Sequence, residues 1–142
     1  MDREGYEVSV YVYVAATMKD GLPEAPVKVG ISSNPVSRLQ SLQTASPYQL
    51  MPFGFFWCPN LAMARVVETA THEMLEEDHM SGEWFSCDPL YAAGAICEVF
   101  RCVAEEADNS EDAQRILRNS GVTLALEKMT AYAKHLKSIG KL

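Results

Sequence analysis

The run Val10-Tyr11-Val12-Tyr13-Val14 alternates β-branched and aromatic residues with a period of two. A helix would scatter these side chains round its circumference, whereas a strand sorts them into a valine face and a tyrosine face. We therefore expect a first strand over residues 6–14, burying the valines and presenting Tyr11 and Tyr13 together. A turn signal follows in Lys19-Asp20-Gly21-Leu22-Pro23, and Val27 to Ser32 reads as an antiparallel second strand, with Thr17 to Pro26 as the connecting loop. On that second strand Lys28 and Gly30 share one face, and Val27, Val29 and Ile31 share the other. The lysine then points away from the core, towards the tyrosines.

Asn34-Pro35 predicts a helix start, because the asparagine can cap free amides and the proline lacks the N–H that the first helical position cannot use. The helix is expected to reach about Gln43, with Arg38 one turn inside its electropositive end. Ten residues separate Arg38 from Lys28 in sequence, yet strand and helix can deliver both cations to one place, a combination suited to a phosphate. A third strand is expected from Gln49 to Trp57. Its rings Phe53, Phe55, Phe56 and Trp57 read first as core and second as a base-stacking platform.

Asn60 can cap a second helix to about Asp78, with Leu61, Ala64, Val67, Ala70, Met74 and Leu75 as its apolar stripe. Glu68 and His72 lie four apart on this helix and so stack on one side. A carboxylate beside an apolar stripe is costly unless it is paired or holds a metal. Met80 to Cys87 reads as a short extended piece closing the core, with Glu83 as a salt-bridging residue or, second, an additional acidic group. Helices are then expected from Asp88-Pro89 to about Ala107, over Ser110 to Arg118 and over Val122 to Ser138.

Taken in order, Tyr11 or Tyr13, Lys28-Val29-Gly30-Ile31-Ser32, Arg38-Leu39-Gln40-Ser41-Leu42-Gln43-Thr44, Glu68 with His72, and Gly82-Glu83-Trp84-Phe85 resemble the GIY-YIG nuclease superfamily. The likeness is to its phage-type branch, in which a K-I-G segment replaces Y-I-G, and it spans residues 6–88. It implies an α+β fold: a small three-stranded antiparallel sheet flanked by helices, with residues 89–142 as a helical C-terminal extension packed on the same domain. It further implies metal-dependent endonuclease hydrolysis of nucleic-acid phosphodiesters, DNA before RNA. In that scheme Tyr11 or Tyr13 helps deprotonate the attacking water, and Lys28 stands where many members have a second tyrosine. Arg38 holds the phosphate, Glu68 binds one Mg2+ or Mn2+ ion, and His72 reaches Glu68 or the phosphate. A glutamate oxygen is a suitable hard ligand for such an ion, which keeps most of its waters.

The sequence departs from the family pattern at Leu42, where many members have histidine, and it lacks an asparagine between Glu68 and Gly82. Its charge is also unusual for a DNA-binding chain. Residues 1–110 hold six Lys/Arg against sixteen Asp/Glu, a difference of −10, and residues 111–142 hold six against three, or +3, giving the total of −7. DNA affinity comes largely from cations displacing condensed counterions, so an acidic core needs help, for which the C-terminal Arg115, Arg118, Lys128, Lys134, Lys137 and Lys141 are candidates. The alternative is a binding module without turnover that engages a basic protein partner through its acidic surface.

No apolar run approaches the roughly 20 residues a membrane span needs, and Met1-Asp2-Arg3-Glu4 does not open like a signal peptide. A cytoplasmic protein with no membrane partner is the expectation. Cys58, Cys87, Cys97 and Cys102 show no paired spacing and read as free buried thiols, with a zinc site using His72 or His79 as the minor alternative.

Overall fold

The first hairpin is longer and its turn tighter than the sequence suggests. In the computed structural model, which describes residues 8–141, strand β1 spans Val10–Lys19 and strand β2 spans Leu22–Ser32. The expected Thr17 to Pro26 loop is therefore a correction: Thr17 pairs with Glu24, Met18 with Pro23 and Lys19 with Leu22. Only Asp20 and Gly21 turn, at φ 52° and 77°. Two consecutive positive φ values match the right-handed twist of the flanking strands, which is why Asp-Gly closes a two-residue turn so readily. A register shift between Ala16 and Thr17 takes up the mismatch between the two halves of the hairpin. Residues 6 and 7, the expected start of the first strand, lie outside the described residues.

Strand β3, Leu50–Cys58, pairs antiparallel with the other side of β1. The expected three strands are joined by two more, β4 (His79–Ser81) and β5 (Trp84–Phe85), so the sheet has five strands in the order β3-β1-β2-β5-β4. The single closing segment expected over Met80 to Cys87 is thus a small hairpin turning at Gly82, φ 56°, and its second strand pairs with β2 at Val27 and Lys28. The α+β class and the helical C-terminal part are as the sequence leads one to expect.

Strand alternation sorts the sheet into two faces. Val10, Val12, Val14, Ala16, Val27, Val29 and Phe56 form the main core with helices α2 (Leu61–Met74) and α3 (Pro89–Glu106). Burying side chains of this size contributes roughly 1.5–3 kcal/mol each against leaving them exposed. The opposite face carries a smaller cluster of Tyr13, Ala15 and Leu39, with Leu42 against it, under helix α1 (Pro35–Ala45). Helices α4 (Glu111–Ser120) and α5 (Val122–Ser138) meet at Gly121, whose φ of 89° permits the sharp change of direction.

Helix α2 stops at Met74 rather than near Asp78, and Glu76–Asp78 tightens into a single 3-10 turn. Three carboxylates at a helix C-terminus oppose its macrodipole, which disfavours continuation there. The buried stripe of α2 is Ala64, Val67, Thr71 and Leu75, whereas the expected Leu61 and Met74 are exposed. That small rotation sets Glu68 and His72 at the boundary of the apolar stripe, facing the edge of β2. Among the described residues no helix is long and apolar enough to cross a membrane. Three of the four cysteines are buried and free as expected, but Cys102 is exposed because it lies outside the buried stripe of α3.

Candidate active site

Register puts Tyr13 opposite Gly30, and glycine is what allows the two to pack. A Cβ at position 30 would lie 2.6 Å from the Tyr13 Oη, 2.8 Å from its Cζ and 3.0 Å from Glu83 Oε1. The phenol therefore lies directly over the backbone of β2, with the Glu83 carboxylate beside it. From the other side comes Arg38, positioned because Asn34 caps α1 by accepting from the Ser37 amide at 3.2 Å. The Arg38 guanidinium is near enough to the Tyr13 phenol to favour its ionised form. Burial pushes the Tyr13 phenol up from its ordinary value, and Arg38 only partly opposes this, so the phenol is neutral near pH 7.

Lys28 is buried, and its ammonium donates to Glu83 Oε1 at 2.5 Å. It also stands 5.9 Å from the centre of the Trp84 ring, a further attraction for a desolvated cation. Glu83 fills the salt-bridging role expected of it. The backbone fixes this pair, since Val29 donates to the Glu83 carbonyl at 3.0 Å and Lys28 pairs with Trp84 between β2 and β5.

Glu68 reaches the same spot past the edge of β2. Burial, followed by the hydrogen bond and charge of Glu83, pushes its carboxyl up to about 7. Burial acts on Glu83 in the same direction, but hydrogen bonds from Lys28 and Glu68 outweigh it and hold that carboxyl below its ordinary value. Glu68 thus holds a proton more readily than Glu83, because Lys28 favours the ionised form of Glu83. Glu68 Oε2 is buried and has no hydrogen-bond partner among the described residues. His72, one turn on, donates from Nε2 to the Val29 carbonyl at 2.9 Å and packs against Phe85, with ring centres 5.0 Å apart. Because a carbonyl can only accept, that bond makes Nε2 a protonated nitrogen.

Of the residues singled out from the sequence, Tyr13, Lys28, Arg38 and Glu68 converge here, with His72 at the margin. The two tyrosine candidates separate: Tyr13 belongs to this cluster, while Tyr11 lines a neighbouring groove with Phe55 and Trp57. Glu83 is the central residue that the sequence left at second rank. Its signal lay in Gly82-Glu83-Trp84, but only the added β4–β5 hairpin brings that segment to Lys28.

Residues 10–110, more than two thirds of the chain, match the family model of the T5orf172 domain. The chain belongs to the T5orf172 domain family. The T5orf172 match runs from β1 through α3, so it takes in every member of the Tyr13, Lys28, Arg38, Glu68 and Glu83 cluster and stops before α4. No curated protein and no solved structure matches the chain.

The donor set of this T5orf172 site fits one hard divalent cation. Two neighbouring carboxyls, one of them raised to about 7, can give up a proton in exchange for a cation, and Glu68 Oε2, unpartnered among the described residues, is available as an oxygen ligand. Among the described residues no cluster of three His, Cys, Asp or Glu forms a metal cage, which also leaves the zinc alternative without a ligand set. A cation bound here would have to keep most of its coordination as water, as magnesium does with one or two carboxylates.

Proposed function

We propose that this protein is a divalent-metal-dependent endonuclease of GIY-YIG type that hydrolyses nucleic-acid phosphodiesters, DNA before RNA. The observation that carries the reading is the convergence of Tyr13, Arg38 and the Glu68–Glu83 pair on one edge of the sheet. T5orf172 is a phage-associated domain found in some nuclease contexts, which supports a DNA-related role.

Each residue has a distinct task. Arg38 is exposed and its guanidinium can fork onto an anion, so it binds the scissile phosphate with the Tyr13 phenol beside it. Tyr13 orients the attacking water and relays its proton to the ionised Glu83 carboxylate beside it; being neutral, it acts through hydrogen bonding rather than as a phenolate. Lys28 is committed to Glu83, so it acts by keeping that carboxylate ionised next to Glu68. Glu68, deprotonated, holds Mg2+ or Mn2+, which when bound polarises a phosphoryl oxygen. His72 steadies the β2 edge through the Val29 carbonyl.

The test is cleavage of a panel of single-stranded, duplex and branched DNA and of RNA, with Mg2+ or Mn2+ and with a chelator. Metal-dependent cutting of at least one substrate is expected. No cutting across the panel by folded protein contradicts the proposal.

A second reading rests on the difference of −10 over residues 1–110 and on the neutralisation of Lys28 by Glu83. In it the scaffold binds a basic protein through its acidic surface and does not turn over. A basic partner retained in a salt-dependent way, together with no nuclease activity, would favour it.

A further inference from the structure

The aromatic run of β3 divides between the two faces of the sheet, and the division leaves a surface that the core does not use. Phe56 is fully buried and Phe53 meets Tyr132 edge-on with centres 5.8 Å apart, so these two serve the core side. Phe55 and Trp57 project from the other face, where register places Phe55 opposite Tyr13 and Trp57 opposite Tyr11. Phe55 remains 36% exposed. With Tyr11 and with Asn119, Ser120 and Gly121 from the α4–α5 junction, these rings line a groove of about 350 Å³.

We propose that this groove is a stacking subsite for one unpaired nucleobase, belonging to the nucleotide next to the phosphate held by Arg38. The inference rests on the phosphodiester reading above and names the substrate class it implies: a strand with at least one base out of the duplex stack. Tyr11 and Tyr13 are two residues apart on one strand face, about 7 Å, and Phe55, which lines the groove, pairs with Tyr13 between β3 and β1, so groove and site are neighbours within the reach of one nucleotide. Aromatic rings offer a base a π-face whatever its identity, and a base inside a duplex has no free face to offer. The polar groups around the rings are already divided. The Trp57 indole N–H donates to Ser9 Oγ at 2.9 Å, and the Ser120 hydroxyl is held by the Leu117 carbonyl and the Val122 amide. Asn119 is exposed at the rim, with an amide able to donate to and accept from a base edge.

The experiment reads binding, not cleavage, in a chelator so that no turnover occurs. The protein carries Trp84→Phe, which leaves Trp57 as its single tryptophan. The probes are a ten-nucleotide single strand of thymidines, an abasic phosphodiester strand of equal length and the corresponding duplex. The base-bearing strand is expected to quench Trp57 fluorescence and to bind roughly five- to hundredfold more tightly than the abasic strand. Phe55→Leu should remove most of that difference without changing affinity for the abasic strand. Equal binding of the two strands, equal binding of the duplex, or no effect of Phe55→Leu overturns the subsite; if Arg38→Ala still weakens both strands, the phosphate reading survives. No binding of either strand by folded protein overturns both.

Discussion

The Lys28 ammonium lies 2.5 Å from Glu83 Oε1, joining a buried strand residue to a carboxylate 55 positions later that is 38% exposed. This unequal burial makes the two halves of the pair energetically different. Glu83→Gln strands a buried cation, whereas Lys28→Met leaves a carboxylate that water can still reach. Loss of one partner of a fully buried pair costs about 3–5 kcal/mol, and partial exposure reduces this to about 1–3 kcal/mol for Glu83→Gln. Urea unfolding should show Lys28→Met to be the milder change. The reverse order would mean that the ammonium is better solvated than its burial indicates.

Gly30→Ala tests the packing of Tyr13. The added methyl meets the end of a ring that is 1% exposed and tightly enclosed, so the phenol and the strand beneath it are forced apart and the placing of the phenol beside Glu83 and Arg38 is disturbed. Overpacking of this kind costs about 1–3 kcal/mol, and nuclease activity should fall further than the stability change explains. Combining it with Tyr13→Phe removes the 2.6 Å contact but not the 2.8 Å one, so thermal unfolding should show partial recovery.

Stability should carry the signature of Glu68. Its carboxyl is raised from 4.5 to about 7 on folding, so between these values the folded protein holds a proton that the unfolded chain has lost. The contribution is fully present below about 4.5 and is lost as the pH rises through about 7. Glu68→Gln cannot lose that proton. In a chelator, its stability relative to wild type should therefore be more favourable at pH 8 than at pH 5. A difference independent of pH would show that Glu68 is ionised throughout.

Thiol labelling reports the integrity of the core. Burial pushes Cys58 up to about 12 and Cys87 and Cys97 up to about 11, and all three are enclosed. Only the thiolate reacts, so one equivalent of an aromatic disulfide reagent, at Cys102, should be consumed by folded protein at pH 8 and four in urea.

Local patterns made much of the fold legible. Alternation in Val10 to Val14, the Asn34-Pro35 and Asp88-Pro89 starts, and Gly121 between two helical runs each act over a few residues, and the matching elements formed where expected. Features set by distant contacts were not legible. The extension of the first hairpin depended on β3 and β2 both satisfying β1, and Glu83 joined the site only through pairing of β5 with Lys28. Lys28 itself was read as a cation open to phosphate, because nothing near it in sequence announces a partner 55 residues on. The stripe of α2 was offset because Thr71, polar by type, is buried once its hydroxyl donates to the Val67 carbonyl at 2.7 Å.

The most direct test compares initial cleavage rates of wild type, Glu68→Gln and Arg38→Ala on a substrate cut by wild type, with Mg2+ or Mn2+ present and with circular dichroism confirming that all three are folded. Both variants should lose at least about a hundredfold in rate, and wild type should lose its activity in a chelator. Rates within a few-fold of wild type in either folded variant would contradict the assignment of this cluster as the hydrolytic centre.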